Sequence, residues 1–172
     1  MKLFGVYLGG MVEGCNIEVH DFVFAIGGSI EETYDFLKSR WFGLPKGLHM
    51  DSWVDLSTIN GFKVNVIPAN EKCDSAFKVY FVNLGGYDKN HFGEKHKDVF
   101  IVATSKAEAR SIAKKEIEQK FDLPHVDFSY EVDECIEASG FTNYSIEVSK
   151  MEGCCDVKPL QFNNGYFKIT NN

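Results

Sequence analysis

The sequence is short of basic charge, of paired cysteines and of long apolar runs, and each shortage removes a class of function. Eighteen Lys and Arg stand against 25 Asp and Glu, a net charge of −7. That balance repels phosphate backbones unless the few cations gather on one face, so nucleic acid is not expected as a partner. No stretch approaches the roughly 20 apolar residues that a spanning helix needs, so no membrane partner is expected either. The five cysteines, Cys15, Cys73, Cys135, Cys154 and Cys155, form no C-x-x-C pair, and their odd number cannot all be joined within one chain. A disulfide framework is therefore not expected, and the adjacent Cys154 and Cys155 have the wrong separation for an ordinary strain-free bridge. The opening MKLFGVYLGGMVEG is interrupted by Gly9, Gly10 and Glu13 before it can form the apolar core of a secretory signal. Free thiols without an export signal point to a reducing, cytoplasmic setting.

Apolar material, by contrast, is plentiful. Hydrophobic residues make up 44% of the 172 residues, with 15 Phe and 7 Tyr. That is enough to offset the entropy of ordering a chain of one domain or two small lobes.

An internal repeat organises the chain. Shifting the sequence by 76 positions lays Lys2–Asp51 onto Lys78–Asp127 without a gap and gives 14 identities in 50. Roughly three would arise by chance at ordinary residue frequencies. The matches cluster at Leu8-Gly9-Gly10, Glu18, His20, Val23-Phe24 and Ser29, then His49 and Asp51. Beyond Asp51, Val54-Asp55 answers Val132-Asp133 and Gly61-Phe62 answers Gly140-Phe141. The expected organisation is an α+β chain of two ββαββ repeats, residues 1–70 and 77–150, packed about a pseudo-twofold axis, with a tail over 151–172.

Each repeat reads as strand, loop, strand, helix, strand, strand. Leu3–Leu8 and Val79–Leu84 are rich in β-formers, as are Phe22–Ile26 and Val99–Val102. Ser29-Ile-Glu-Glu32 and Ser105-Lys-Ala-Glu108 both have the form of a capping box, in which the Ser oxygen accepts from the N3 amide and the Glu reaches back. The last two strands are expected at Asp51–Leu56 with Gly61–Ile67, turning at Asn60-Gly61, and at Ser129–Val132 with Thr142–Val148. In the tail, Tyr166–Ile169 could add an edge strand.

Four short motifs carry possible chemistry. Gly9-Gly10 and Gly85-Gly86 end the first strand of each repeat, where turn geometry is the expectation. A phosphate loop would need the glycines to open into a helix, and here another strand follows. Glu18-x-His20 and Glu94-x-His96 put a carboxylate and an imidazole on one face of an extended chain. His49-x-Asp51 and His125-x-Asp127 repeat the arrangement after the helix. Each lobe thus holds two His and two carboxylates, a set that suits zinc, manganese or iron if the groups meet, and that otherwise braces the glycine segment by hydrogen bonds. Cys15 lies three residues before Glu18, but His91 stands at its counterpart, so a thiol nucleophile is confined to one lobe. Trp41, Phe42 and Trp53 are read as core.

The phrases VYLGG, IEVHDFVF, LHMDSW and YFVNLGGYDKNHFGEKH resemble the bacterial family called domain of unknown function 1543, over Lys2 to about Ile169. The resemblance implies a bacterial protein with a compact fold similar to the β-grasp or ubiquitin roll, and assigns no catalytic residue. Two functions follow from the residues. One is a small-molecule or protein-binding module with ligand groups from both repeats. The other is a metal-assisted or His-dependent hydrolase using the Glu-x-His and His-x-Asp groups. Whether the chain is an enzyme is left open, with a divalent metal as the candidate cofactor. The leaning is to binding, because no nucleophile or oxyanion motif recurs in both lobes.

Overall fold

The computed structural model describes residues 1–87, 90–120, 131–152 and 159–170. Along the chain come β1 (Lys2–Gly10), β2 (Val19–Gly27), a 3-10 turn (Glu31–Thr33), α1 (Tyr34–Arg40), β3 (His49–Asp55), β4 (Thr58–Ile59) and β5 (Phe62–Pro68). Then follow β6 (Lys78–Tyr87), β7 (Glu94–Ala103), α2 (Lys106–Lys120), β8 (Glu131–Glu137), β9 (Tyr144–Lys150) and β10 (Asn163–Lys168). The class is α+β, and no helix among the described residues is long and apolar enough to cross a membrane.

The described strands form three sheets, ordered β10-β3-β1-β2, β7-β6-β8 and β4-β5-β9. The central strands β1 and β6 are buried on both faces, which is why their sequences read as nearly unbroken apolar runs. Alternation divides their side chains between two layers. Phe4, Val6 and Leu8 pack under the first helix with Ile30, Leu37 and Trp41. Tyr80, Val82 and Leu84 pack under the second with Ala109 and Ala113. The opposite faces meet each other: Leu3, Phe24, Val79, Phe81, Phe100 and Val102 share one core with Val64 and Val148. Phe22 and Phe81 lie face to face across it, ring centroids 3.6 Å apart.

Pairing runs antiparallel throughout, with matching registers in the two halves. Gly9 faces His20 on β2 and His49 on β3, while Gly85 faces His96 on β7 and Glu131 on β8. Both β1–β3 and β6–β8 carry a bulge, between Tyr7 and Leu8 and between Asn83 and Leu84. Strand β10 closes the free edge of β3 through Asn163↔Trp53 and Lys168↔His49.

Several expectations change. Asn60-Gly61 does turn the chain, with both residues at positive φ (49° and 83°), but it joins β4 to β5 through Ile59↔Phe62. Strand β5 does not return to β3; it pairs with β9 of the other half, Val64 against Val148. Neither half therefore builds its own four-stranded sheet, and the mixed parallel and antiparallel sheet of a ubiquitin-like roll is not formed by the described strands. The register after the helices also differs from the gapless alignment. Met50 and Val132 occupy equivalent places, opposite Leu8 and Leu84, so Asp51 corresponds to Asp133 rather than to Asp127. The second half has the longer helix, 15 residues in α2 against 7 in α1.

The two helix starts also part company. Ser105 Oγ accepts from the Glu108 amide at 3.2 Å, as a cap should, while Glu108 reaches one residue further back, to the Thr104 amide at 2.8 Å. At the first helix Glu32 similarly holds the Gly28 amide at 2.8 Å, but neither the 3-10 turn nor α1 has a side-chain cap. The Ser29 hydroxyl serves Glu31 instead and, with Glu31's own amide, lowers that carboxyl's pKa.

Candidate metal centre

The site of the first half is built around a missing side chain. Gly9 sits on the central strand with His20 and His49 as its neighbours on either side, so the two imidazoles can lean toward each other over bare backbone. A Cβ at Gly9 would lie 2.5 Å from Asp51 Oδ2 and 2.8 Å from His49 Nε2. The bulge supplies the third group, because it leaves Asp51 without a partner on β1 and turns its carboxylate toward the same place. Glu18, two residues before His20, supplies the fourth.

These four side chains form a ring in which imidazole and carboxylate alternate. His20 Nε2 is 3.4 Å from Glu18 Oε1 and 3.1 Å from Asp51 Oδ2. His49 Nε2 is 3.4 Å from the same Glu18 oxygen and 3.1 Å from Asp51 Oδ1. The tautomer of His49 follows from its other nitrogen. Nδ1 lies 2.8 Å from the Gly47 carbonyl oxygen, which can only accept, so Nδ1 carries a proton. Nε2 is in turn hydrogen-bonded to Asp51 Oδ1 at 3.1 Å: with a proton on both nitrogens the ring is an imidazolium that donates to Asp51, and with Nε2 bare it offers a lone pair beside that carboxylate. Asp51 Oδ2 adds to the tension. Although it is 3.1 Å from His20 Nε2, it is out of line for a hydrogen bond, and it is a buried oxygen without a hydrogen-bond partner. A buried carboxylate oxygen with no proton donor in line is what a cation would satisfy. Donors about 2.1 Å from one ion lie about 3.0 Å apart in an octahedron and about 3.4 Å apart in a tetrahedron. The separations between neighbours in the ring fit that range, and Glu18, His20 and Asp51 bring one donor atom each within 4.8 Å of one another; His49 stands outside that group, against the other oxygen of Asp51.

One side of the ring is closed and the other open. The His49 side chain is 2% exposed, whereas those of His20, Glu18 and Asp51 are 43%, 40% and 33% exposed. Tyr166 stacks on His49 at a centroid distance of 4.0 Å, and Tyr7 on His20 at 5.7 Å. Burial, and then the carboxylates of Asp98, Asp21 and Asp51, raise the Tyr7 phenol above its ordinary pKa.

The second half repeats the plan in a looser form. Glu94, His96 and Asp133 bring one donor atom each within 4.8 Å of one another, all on exposed residues. His96 Nε2 is 3.3 Å from Glu94 Oε2. Gly85 again leaves the space, since a Cβ there would run into the Asp133 carboxylate. Glu131 stands at the strand position of His49, so this cluster has one imidazole where the first has two.

The comparisons with known proteins bear on the same residues. The model of the family described as Domain of Unknown Function (DUF1543) matches residues 15–66, the segment that holds Glu18, His20, His49 and Asp51. Over 99% of both chains, the fold is similar to the crystal structure of a protein Il1583 from Idiomarina loihiensis, with a TM-score of 0.74 and 31% sequence identity. The chain belongs to the DUF1543 family. A search of curated proteins gives no match.

Of the candidate residues, Gly9, Glu18, His20, His49 and Asp51 come together in the first half of this DUF1543 protein, and Gly85, Glu94 and His96 in the second. Gly10 and Gly86 stand outside, Gly10 against Trp41. None of the four glycines has a positive φ, and all lie within strands, so close approach rather than a turn explains Gly9 and Gly85. His125 and Asp127 lie outside the described residues. Cys15 is exposed in the loop before Glu18 and is not a member of the ring. Trp41 is core, but Phe42 is 63% exposed. Sequence reasoning missed Asp133, whose Glu131-Val-Asp133 pattern was legible only with a gap allowed inside the repeat. It also missed Tyr7 and Tyr166, which ring stacking alone reveals.

Proposed function

We propose that this protein is a small-molecule-binding module built on a divalent metal ion held by Glu18, His20 and Asp51, with His49 bracing Asp51 from the buried side. The observation that carries this reading is the approach of one donor atom from each of the three to within 4.8 Å of one another, around a buried Asp51 oxygen that has no hydrogen-bond partner. An imidazole and two carboxylates suit manganese, iron or zinc. The open side leaves coordination positions for a ligand, as in sites that exchange ligands rather than staple a fold. When bound, the metal supplies Lewis acidity toward a ligand oxygen. Both carboxylates are turned onto the histidines, so neither is placed as a separate proton acceptor, which favours binding over hydrolysis. The protein's own groups fix the site: Gly47 orients His49, and the rings of Tyr166 and Tyr7 flank the two histidines. The matching registers further support a duplicated unit, with repeats at 1–70 and 77–150, a tail over 151–172 and a second, weaker site at Glu94, His96 and Asp133.

Calorimetric titration of chelator-stripped protein with Mn²⁺, Fe²⁺ and Zn²⁺ tests this. One tight site is expected, lost in Asp51→Asn and His20→Ala, with a weaker one lost in Glu94→Gln. Titrations without heat for all three ions, together with unchanged melting temperatures, would show instead that His49 is a structural imidazolium.

A further inference from the structure

Beside the metal centre, between the two facing sheets, lies a cavity of about 280 Å³. Gly5 stands on β1 where the 76-residue offset places Phe81 on β6, and the Phe100 and Phe22 rings fill the space that a side chain there would take. A Cβ on Gly5 would come within 2.8 Å of the Phe100 ring, so even a methyl group would intrude. Phe22, Phe81, Phe100 and Tyr7 line the interior. At the mouth, Phe162 stacks on Phe100 with centroids 6.5 Å apart and is 54% exposed.

Polarity at the mouth has one sign. Asp98, exposed on its outer side, lines the cavity and accepts from Asn83 Nδ2 at 2.7 Å. No Lys, Arg or His is among the described residues lining the space. Aromatic faces attract cations through their quadrupoles, and a carboxylate at the rim adds to the same preference. An anion is repelled there, and a neutral hydrocarbon gains nothing from Asp98. As for size, a dry cavity of about 150 Å³ accepts benzene, so this one has room for a phenyl ring with a short chain.

We propose that this cavity binds an organic cation of arylalkylamine size, its ring among the phenylalanines and its ammonium against Asp98. The proposal stands apart from the metal reading, since none of its groups ligates the proposed metal; Tyr7 is the wall between the two sites, stacking on His20.

Three matched probes test it: phenethylammonium, phenethyl alcohol and phenylacetate, titrated into the whole protein by NMR in excess EDTA. Phenethylammonium should bind about tenfold more tightly than the alcohol, with phenylacetate weakest and the shifts confined to residues around the cavity. Asp98→Asn, an exposed and nearly isosteric change, should bring the cation down to the alcohol's affinity without moving the melting temperature. Equal binding of the three probes, or full cation binding by Asp98→Asn, would overturn the proposal. So would cation binding that appears only when metal is added, because that would place the probe at the metal centre.

Discussion

Replacing Gly9 by alanine isolates what the missing side chain does. The backbone at Gly9 is ordinary strand, so alanine is conformationally permitted there. Its methyl group, however, would enter the centre of the ring, 2.5 Å from Asp51 Oδ2, 2.8 Å from His49 Nε2 and 3.1 Å from His49 Cε1. His49 cannot yield, being buried and held by the Gly47 carbonyl. Asp51, one third exposed, can swing outward. Overpacking costs about 1–3 kcal/mol, and the lower entropy of the unfolded alanine chain returns about 0.4–1 kcal/mol. A net loss of about 1–2 kcal/mol in a denaturant melt is expected. Metal affinity should fall much further, by at least about 100-fold, since a displaced ligand costs more than the 10–100-fold typical of a lost supporting contact. Gly10→Ala is the control. Its Cβ meets Trp41 Cζ2 at 2.9 Å, in the helix-facing core rather than the ring. It should lose comparable stability and keep its metal affinity. A Gly9→Ala protein that binds metal within about threefold of the parent, a difference of only about 0.7 kcal/mol, would refute the reasoning.

Other outcomes follow from single contacts. Ser105→Ala should cost on the order of 1 kcal/mol through the lost cap, whereas Ser29→Ala should cost clearly less, as measured by paired urea melts, because no amide at the first helix rests on its hydroxyl. Asp55 is raised by partial burial but lowered on balance by hydrogen bonds from Lys2 and Ser57, so its folded pKa lies below that of an ordinary aspartate. Its contribution is therefore present above about pH 3.8 and lost as pH falls through the lower folded value; Asp55→Asn should melt earlier at neutral pH, with the gap closing under acid. Burial raises the Cys135 thiol, so peptide mapping after brief alkylation should find exposed Cys15 and Cys73 modified and Cys135 spared until denaturant is added.

Legibility in the sequence tracked how local each cause was. The core strands, the cap at Ser105 and the Asn60-Gly61 turn depend on neighbouring residues, and they lie where the pattern puts them. Glu18 with His20 and His49 with Asp51 were readable because alternate residues of an extended chain share a face. That the two pairs meet was not readable, since it depends on Gly9 standing between two strands far apart in sequence. The bulge hid Asp133 in another way: one unpaired residue in β8, after a longer helix, breaks the constant offset on which a gapless comparison relies. Strand β5 shows the same limit, because nothing local distinguishes a strand that pairs with β3 from one that crosses to β9.

That crossing governs how the chain reaches its fold. The pairing of Val64 with Val148 joins segments 84 residues apart (148 − 64), and loop closure over such a span must come before the contacts that reward it. Until β9 arrives, the edge of β5 stands open, the condition that favours association between chains. Once closed, the shared sheet ties the two halves into one cooperative unit. A cavity cut in β5, such as Val64→Ala, should therefore speed hydrogen exchange at both β2 and β7, although each belongs to a different sheet from β5.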